Sequence, residues 1–136
     1  MQSIVHAYWN AIHELRFQDV RELFCDTAEI TWPNTEEVFT LDEFIAVNEA
    51  YPGEWEEEVL KCYETGDMII SETMVKGQEV SFLAIGFFTI QGGKITALRE
   101  YWTAVEAVPE WRKELLKSRQ GMHAFPVFLS HHSRSF

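Results

Sequence analysis

Residues 80–102, VSFLAIGFFTIQGGKITALREYW, read as two β-strands folded back on each other at Gly92-Gly93. A Gly-Gly pair suits the positive φ angles of a two-residue hairpin turn. With those glycines as the loop, Gln91 pairs with Lys94, Ile90 with Ile95, and Ile85 with Glu100. Residues directly opposite share a face, and the faces alternate along each strand. One face then carries Leu83, Ile85, Phe87, Leu98, Glu100 and Trp102, a single carboxylate in an apolar row. Such a carboxylate is costly to ionise unless it gains a partner or faces a cavity. It is either a residue that does chemistry or binds something, or a structural glutamate held by a nearby tyrosine or backbone group. A slip in register would instead expose it.

The hairpin is the last part of a strand-rich half. Glu57–Glu64, Met68–Lys76, Val80–Ile90 and Lys94–Trp102 alternate as strands, with turns at Gly66-Asp67 and Lys76-Gly77. The first half is helical. Ser3 caps a helix whose apolar residues Ile4, Tyr8, Ala11, Ile12 and Leu15 fall at helical spacing, and Asp19 opens a shorter helix through Phe24. Ala28–Trp32 alternates as a strand that Pro33-Asn34 ends, and Thr40 with Glu43 makes a capping box for a helix to Ala50. A final helix begins at Pro109 and runs to about Lys117. Helices followed by antiparallel strands make an α+β plan, a curved sheet wrapped around helices.

At 136 residues the chain is long enough for one domain with its own core. Residues 1–118 form that domain, and 119–136 read as a loosely held tail. Phe125, Val127, Phe128 and Leu129 in the tail are too apolar to be left in water. The net charge of −11 argues against nucleic acid and anionic membranes as partners. Glu54, Glu56, Glu57 and Glu58 read as a solvated strand edge. Cys25, at a helix end, and Cys62, in a strand, read as small buried side chains in a reducing compartment. Nothing resembles a signal peptide or a membrane span, so the expected location is the cytosol.

Several polar residues interrupt apolar patterns. Asn48 falls on the stripe of Leu41, Phe44 and Ile45, where it either meets a ligand or bonds a backbone carbonyl. Tyr51-Pro52-Gly53-Glu54-Trp55 is an aromatic turn fit for a cavity rim or a clamp between helix and strand. Glu72 reads as a surface or interface charge, and Arg99 shares a face with Ala84, Gly86, Ala97 and Tyr101, suggesting close packing on the sheet face opposite Glu100, where two subunits would pair. His6 and His13 read as solvent-side, and His131-His132 lack accompanying metal ligands. No phosphate loop, nucleophile elbow or paired-histidine zinc motif occurs.

The strings Leu23-Phe24-Cys25-Asp26-Thr27-Ala28-Glu29-Ile30, Trp32-Pro33, Gly93-Lys94-Ile95 and Arg99-Glu100-Tyr101-Trp102, in this order, resemble the nuclear transport factor 2-like superfamily, particularly its SnoaL-like branch. The resemblance spans roughly residues 4–118. It implies a cone of N-terminal helices packed in a strongly curved antiparallel sheet, and homodimers paired sheet to sheet. Ketosteroid isomerase, limonene epoxide hydrolase, scytalone dehydratase and polyketide cyclases share the fold, as do proteins that only bind ligands or other proteins. Against ketosteroid isomerase, Tyr8 matches the oxyanion tyrosine. The general-base position is Trp32 and the second oxyanion acid is Ile85, so two of three catalytic groups are missing. Glu100 resembles the pocket carboxylate of the epoxide hydrolase and the cyclases. The hydrolase's Arg-x-Asp companion is absent from Asp67-Met68-Ile69-Ile70-Ser71-Glu72. Glu37 matches a family glutamate that holds the loop after the first strand.

These readings converge on a small-molecule-binding domain with a hydrophobic pocket. It is a cyclase, isomerase or dehydratase acting without cofactor, or a non-catalytic dimeric ligand-binding or protein-interaction module. In the enzymatic case Glu100 and Tyr8 are the expected catalytic pair. Trp32, Asn34, Asn48, Trp55, Ile85, Phe87 and Trp102 are the expected contacts for a small hydrophobic, oxygenated molecule. No metal is expected.

Overall fold

A computed structural model describes residues 2–117. The predicted tail, with its apolar segment and His131-His132, lies outside the described residues. Within the first unit, which ends at Thr103, the elements run α1 Gln2–His13, α2 Phe17–Leu23, β1 Phe24–Trp32, a 3-10 turn Pro33–Thr35, β2 Glu37–Phe39, α3 Leu41–Ala50, β3 Glu56–Thr65, β4 Met68–Lys76, β5 Ser81–Gln91 and β6 Lys94–Ala104. The strands form one mixed sheet in the order β2-β1-β6-β5-β4-β3. The α+β plan of helices against a curved sheet is as the sequence predicts. The sheet is antiparallel except where β1 lies parallel to β6, pairing Ile30 with Leu98.

Boundaries differ in instructive places. The helix predicted from Asp19 starts at Phe17, and Phe24-Cys25 belong to β1 rather than to its end. Leu15 lies beyond α1 with a positive φ and is 70 % exposed, so the buried stripe of α1 is Val5, Tyr8, Trp9 and Ala11. Strand β2, a three-residue edge piece, carries no alternation long enough to read. Thr40 and Glu43 form the capping box in both directions, at 3.2 and 2.9 Å, which is worth about 1 kcal/mol to α3. Cys25 and Cys62 are free and only half-buried, not the buried side chains expected.

Gly92 and Gly93 both take positive φ, as a two-residue hairpin turn requires. Next to the turn Ile90 and Ile95 are both buried, although the predicted register sets them on the face opposite Glu100. Beyond it the pairing changes. Apart from Ser81 at its start, the buried residues of β5 are Ala84, Gly86, Phe88 and Ile90, while beyond Ile95 those of β6 are Leu98 and Glu100. Regular pairing would set those two sets on opposite faces. β6 therefore carries one residue more than β5 needs between Ile95 and Leu98, a bulge that flips the remainder of the strand. Glu100 is thereby kept inside, and its predicted neighbours Leu83, Ile85 and Phe87 are turned to the other face. Two expectations are corrected by this. Ile85 and Phe87 do not share a face with Glu100, and Ala84 and Gly86 face the core rather than the outer sheet surface. Gly86 is there because the Phe88 ring stands 2.7 Å from where a Cβ would be.

The second unit begins at Ala104. Its helix α4, Glu110–Leu116, has Pro109 at the N-cap, close to the predicted limits. Lys113 pairs with Glu110 one turn apart, and the Arg112 guanidinium lies over the Trp111 ring at 5.6 Å.

Candidate functional site

The strands β1, β4 and β6 end, and β3 and β5 begin, at the same edge of the sheet. There Trp32, Val75, Lys76, Trp102, Glu56, Glu57 and Phe82 meet the C-terminal turns of α1 and α3 around a cavity of about 800 Å³. The rest of the lining comes from Tyr8, Trp9, Ile12 and His13 of α1, Val47 and Asn48 of α3, and the turn from Tyr51 to Trp55. The wall is mostly apolar and aromatic with a few polar tips, as small-molecule cavities are. Trp55 stacks on Tyr51 at 5.4 Å, and its indole donates to the Pro52 carbonyl, so the aromatic turn is both rim and clamp.

Glu100 is 0 % exposed and lies behind this wall, not in it. Tyr8 Oη donates to Glu100 Oε2 at 3.1 Å and Trp32 Nε1 donates to Oε1 at 3.0 Å, so each oxygen has one donor. Both donors line the cavity. Burial pushes the Glu100 carboxyl up from 4.5 to about 7, against the pull of Trp32, then Tyr8, then Trp102. The Trp102 indole N–H is buried without a hydrogen-bond partner of normal geometry, and its pull on Glu100 comes after those of Trp32 and Tyr8. Tyr8 is held well above its ordinary value, first by burial, then by the Glu100 charge and hydrogen bond, then by the charge of Glu57.

The structure brings Tyr8, Trp32, Asn34, Asn48, Trp55 and Trp102 together around the cavity, with Glu100 one layer behind. Asn34 Oδ1 accepts from the Trp102 backbone N–H at 2.7 Å and fixes the last turn of β6 to the loop after β1. Asn48 Nδ2 donates to the Phe44 carbonyl at 2.9 Å, the backbone alternative noted from its helix position. Ile85 and Phe87 are elsewhere. Ile85 pairs with Glu72 on the outer face, and Phe87 packs edge-on to Tyr101 at 6.1 Å beside Arg99 and Thr31. Glu37, on β2, accepts from Thr35 Oγ1 at 2.5 Å and ties down its loop.

One pair was missed. His13 Nδ1 lies 2.8 Å from Glu57 Oε1, with side chains 51 % and 6 % exposed, and both residues line the cavity. The expected solvated edge therefore turns one carboxylate inward. The signal was present: His13 follows the buried Trp9 by one helical turn, and Glu57 alternates with Trp55 and Val59. Burial raises the Glu57 carboxyl, partly offset by the hydrogen bond and charge of His13. Among the described residues no group of His, Cys, Asp and Glu could hold a metal ion, and no helix is long and apolar enough to cross a membrane.

Solved structures share this architecture at low identity. A provisionally assigned ketosteroid isomerase from Kribbella flavida is 17 % identical with a TM-score of 0.73, covering 83 % of this chain and 84 % of the other. An NTF-2-like protein of unknown function from Burkholderia xenovorans is 19 % identical with a TM-score of 0.72, covering 83 % and 90 %. An LEH-like epoxide hydrolase from M. tuberculosis is 18 % identical with a TM-score of 0.63, covering 74 % and 80 %. These likenesses establish the fold alone. No curated protein matches the chain. The SnoaL-like domain family matches residues 5–98, most of the first unit, and the chain belongs to it.

Proposed function

We propose that the cavity binds a small hydrophobic, oxygenated molecule and moves a proton on it without a cofactor, in a reaction of the isomerase, cyclase or dehydratase type. One observation carries this reading. Tyr8 is at once a residue of the cavity wall and, through its hydroxyl, the donor to a fully buried carboxyl poised at about 7. When Glu100 is ionised, Tyr8 and Trp32 both donate to it. When Glu100 is protonated its own O–H must find an acceptor, and the Tyr8 oxygen is 3.1 Å away. Tyr8 then turns its hydrogen into the cavity and donates to a substrate carbonyl. Tyr8 thus touches the substrate, Glu100 stores the proton, and Trp32 holds Glu100 in place. Trp32, Trp55 and Trp102 supply the apolar wall, with Asn34 and Asn48 as its polar points.

A second reading, ligand binding without turnover, draws on the position of Glu100 behind the wall with both oxygens bonded. Four of the five tryptophans line the cavity, so their fluorescence reports occupancy. The test is a set of aromatic ketones in D2O, followed by fluorescence for binding and by mass for deuterium exchange next to the carbonyl. Enzymatic exchange that falls about a hundredfold in Glu100→Gln with binding retained supports the first reading. Binding with exchange at the solvent rate selects the second.

Pairing of two chains through the outer sheet face also belongs to this proposal. Ile70, Leu83, Ile85, Phe87 and Tyr101 present half-buried apolar surface on that face. The free cysteines fit a cytosolic location.

A further inference from the structure

We propose that His13 and Glu57 form a second acid–base centre of the cavity, with His13 Nε2 as the base that takes a proton from a neutral or cationic substrate. This rests on the cavity admitting a substrate, as argued above, but not on any role of Glu100. The pair joins two elements that the fold brings together at the cavity mouth: His13 is the last residue of α1, and Glu57 is the second residue of β3. An ionised carboxylate only accepts hydrogen bonds, so Nδ1 carries the proton in the 2.8 Å contact to Glu57 Oε1. The neutral ring then presents Nε2 as a lone pair. Glu57 fixes that tautomer and stays beside the ring to stabilise the imidazolium once a proton arrives, while the C-terminal end of α1 favours positive charge at the same place. The exposures suit the division of labour, since the carboxylate is buried and the imidazole is half open to the cavity mouth.

The substrate class follows from the charges around the pair. The other titratable groups lining the cavity are Tyr8, Tyr51, Glu54, Glu56 and Lys76, and just past α1 Glu14 is paired with Arg16 at 2.6 Å. Carboxylates outnumber cations there, so an anionic substrate is repelled. The aromatic lining favours a flat or hydrophobic body. A neutral hydroxyl compound or an activated carbon acid fits, its acidic hydrogen directed to His13.

The test uses 5-nitrobenzisoxazole, a neutral aromatic carbon acid that needs only a base. Nε2 removes the ring C–H proton, the freed electron pair completes the nitrile, and the N–O bond breaks to release a coloured phenolate. No co-reactant is required. The native chain should accelerate this elimination well beyond free imidazole at equal concentration. His13→Gln should lower the rate at least tenfold, with an unchanged melt as the check on folding. Glu57 acts through His13, so Glu57→Gln should lower the rate less and move the pH–rate profile, a change that a packing role would not produce. Nitrogen NMR should find His13 as the Nδ1–H tautomer in the native chain, with that preference weakened in Glu57→Gln, and the rate profile should follow the imidazole titration seen in the same spectra. A His13→Gln variant as fast as the native chain, no acceleration over imidazole, or an Nε2–H tautomer would each overturn the proposal. A rate lost in Glu100→Gln but kept in His13→Gln would leave the Glu100 reading standing and remove this one. The reverse pattern would do the opposite.

Discussion

Replacing Glu100 by Gln should make the protein more stable at pH 8 and leave it little changed at pH 4.5. The fold holds the carboxyl at about 7 against an ordinary value of 4.5. At about 1.4 kcal/mol per pH unit this amounts to about 3 kcal/mol. Below pH 4.5 the group is neutral in the folded and unfolded chains alike and contributes no penalty. Between 4.5 and 7 the unfolded chain releases the proton while the fold retains it, so stability falls as pH rises. Above about 7 both states are ionised and the whole penalty is present. Gln removes the titration but keeps an acceptor for Trp32 and a donor toward Tyr8. The difference in unfolding free energy between mutant and native chain should therefore grow by about 3 kcal/mol from pH 4.5 to pH 8. Urea unfolding followed by tryptophan fluorescence measures it, and every other titrating group cancels in the difference. In thermal melts the gap at pH 8 should reach about 10 °C. Parallel stability curves would mean that Glu100 does not titrate in this range. A mutant weakened at pH 8 would mean that the anion is a needed partner of its two donors.

Tyr8→Phe removes the donor to Glu100 Oε2, so the carboxyl should titrate at still higher pH. The loss should be about 1–3 kcal/mol above pH 7 and smaller below pH 5, measured by the same urea series. A uniform loss would point to packing alone. Gly86→Ala places a methyl where Phe88 Cε1 stands 2.7 Å away, with Phe88 itself fully buried against Tyr8. Overpacking should cost about 1–3 kcal/mol in a melt, and no change would mean that the Phe88 ring yields easily. Light scattering at micromolar concentration should give twice the chain mass, and Phe87→Glu should reduce it to one. A native monomer would contradict pairing through the outer face.

The elements of the fold were legible wherever a pattern ran long enough. The capping box at Thr40, the Gly92-Gly93 turn and the three long strands each carry a local chemical signal that tertiary packing has no reason to override. Parity through the hairpin was legible only as far as Ile95. A one-residue bulge leaves no mark on composition, yet it reverses β6 after Ile95, so that Glu100 joins the face of Ala84 and Gly86 rather than that of Ile85 and Phe87. β5 keeps the parity of the buried Ile90 back to Ala84, and the change on β6 alone brings Glu100 to the inner face. The candidate site divides along the same line. Tyr8, Trp32 and Trp102 could be placed from sequence because each sits on an apolar stripe. His13 and Glu57 each carry a local signal, the spacing from Trp9 and the alternation with Trp55 and Val59, but only the meeting of α1 with β3 joins them into a pair.

Glu100 and Glu57 are both raised by burial, but what opposes burial differs. At Glu100 the opposing groups are neutral dipoles, the indole of Trp32 and the hydroxyl of Tyr8. At Glu57 the opposing group is an imidazole that itself gains and loses charge. A neutral, buried environment is barely screened by salt, whereas a pair with one side half exposed is screened. Salt should therefore leave the Glu100 contribution to the stability curves in place and alter that of Glu57. Tyr8 joins the two, since the charges of Glu100 and Glu57 both act with burial to keep its proton on. A phenol held in that way does not become a phenolate at working pH. In the reading proposed above its hydrogen points toward Glu100 when that carboxyl is charged and into the cavity when it is not. On the proposed reading, the acid character of the cavity is set by the protonation of a residue the ligand does not touch.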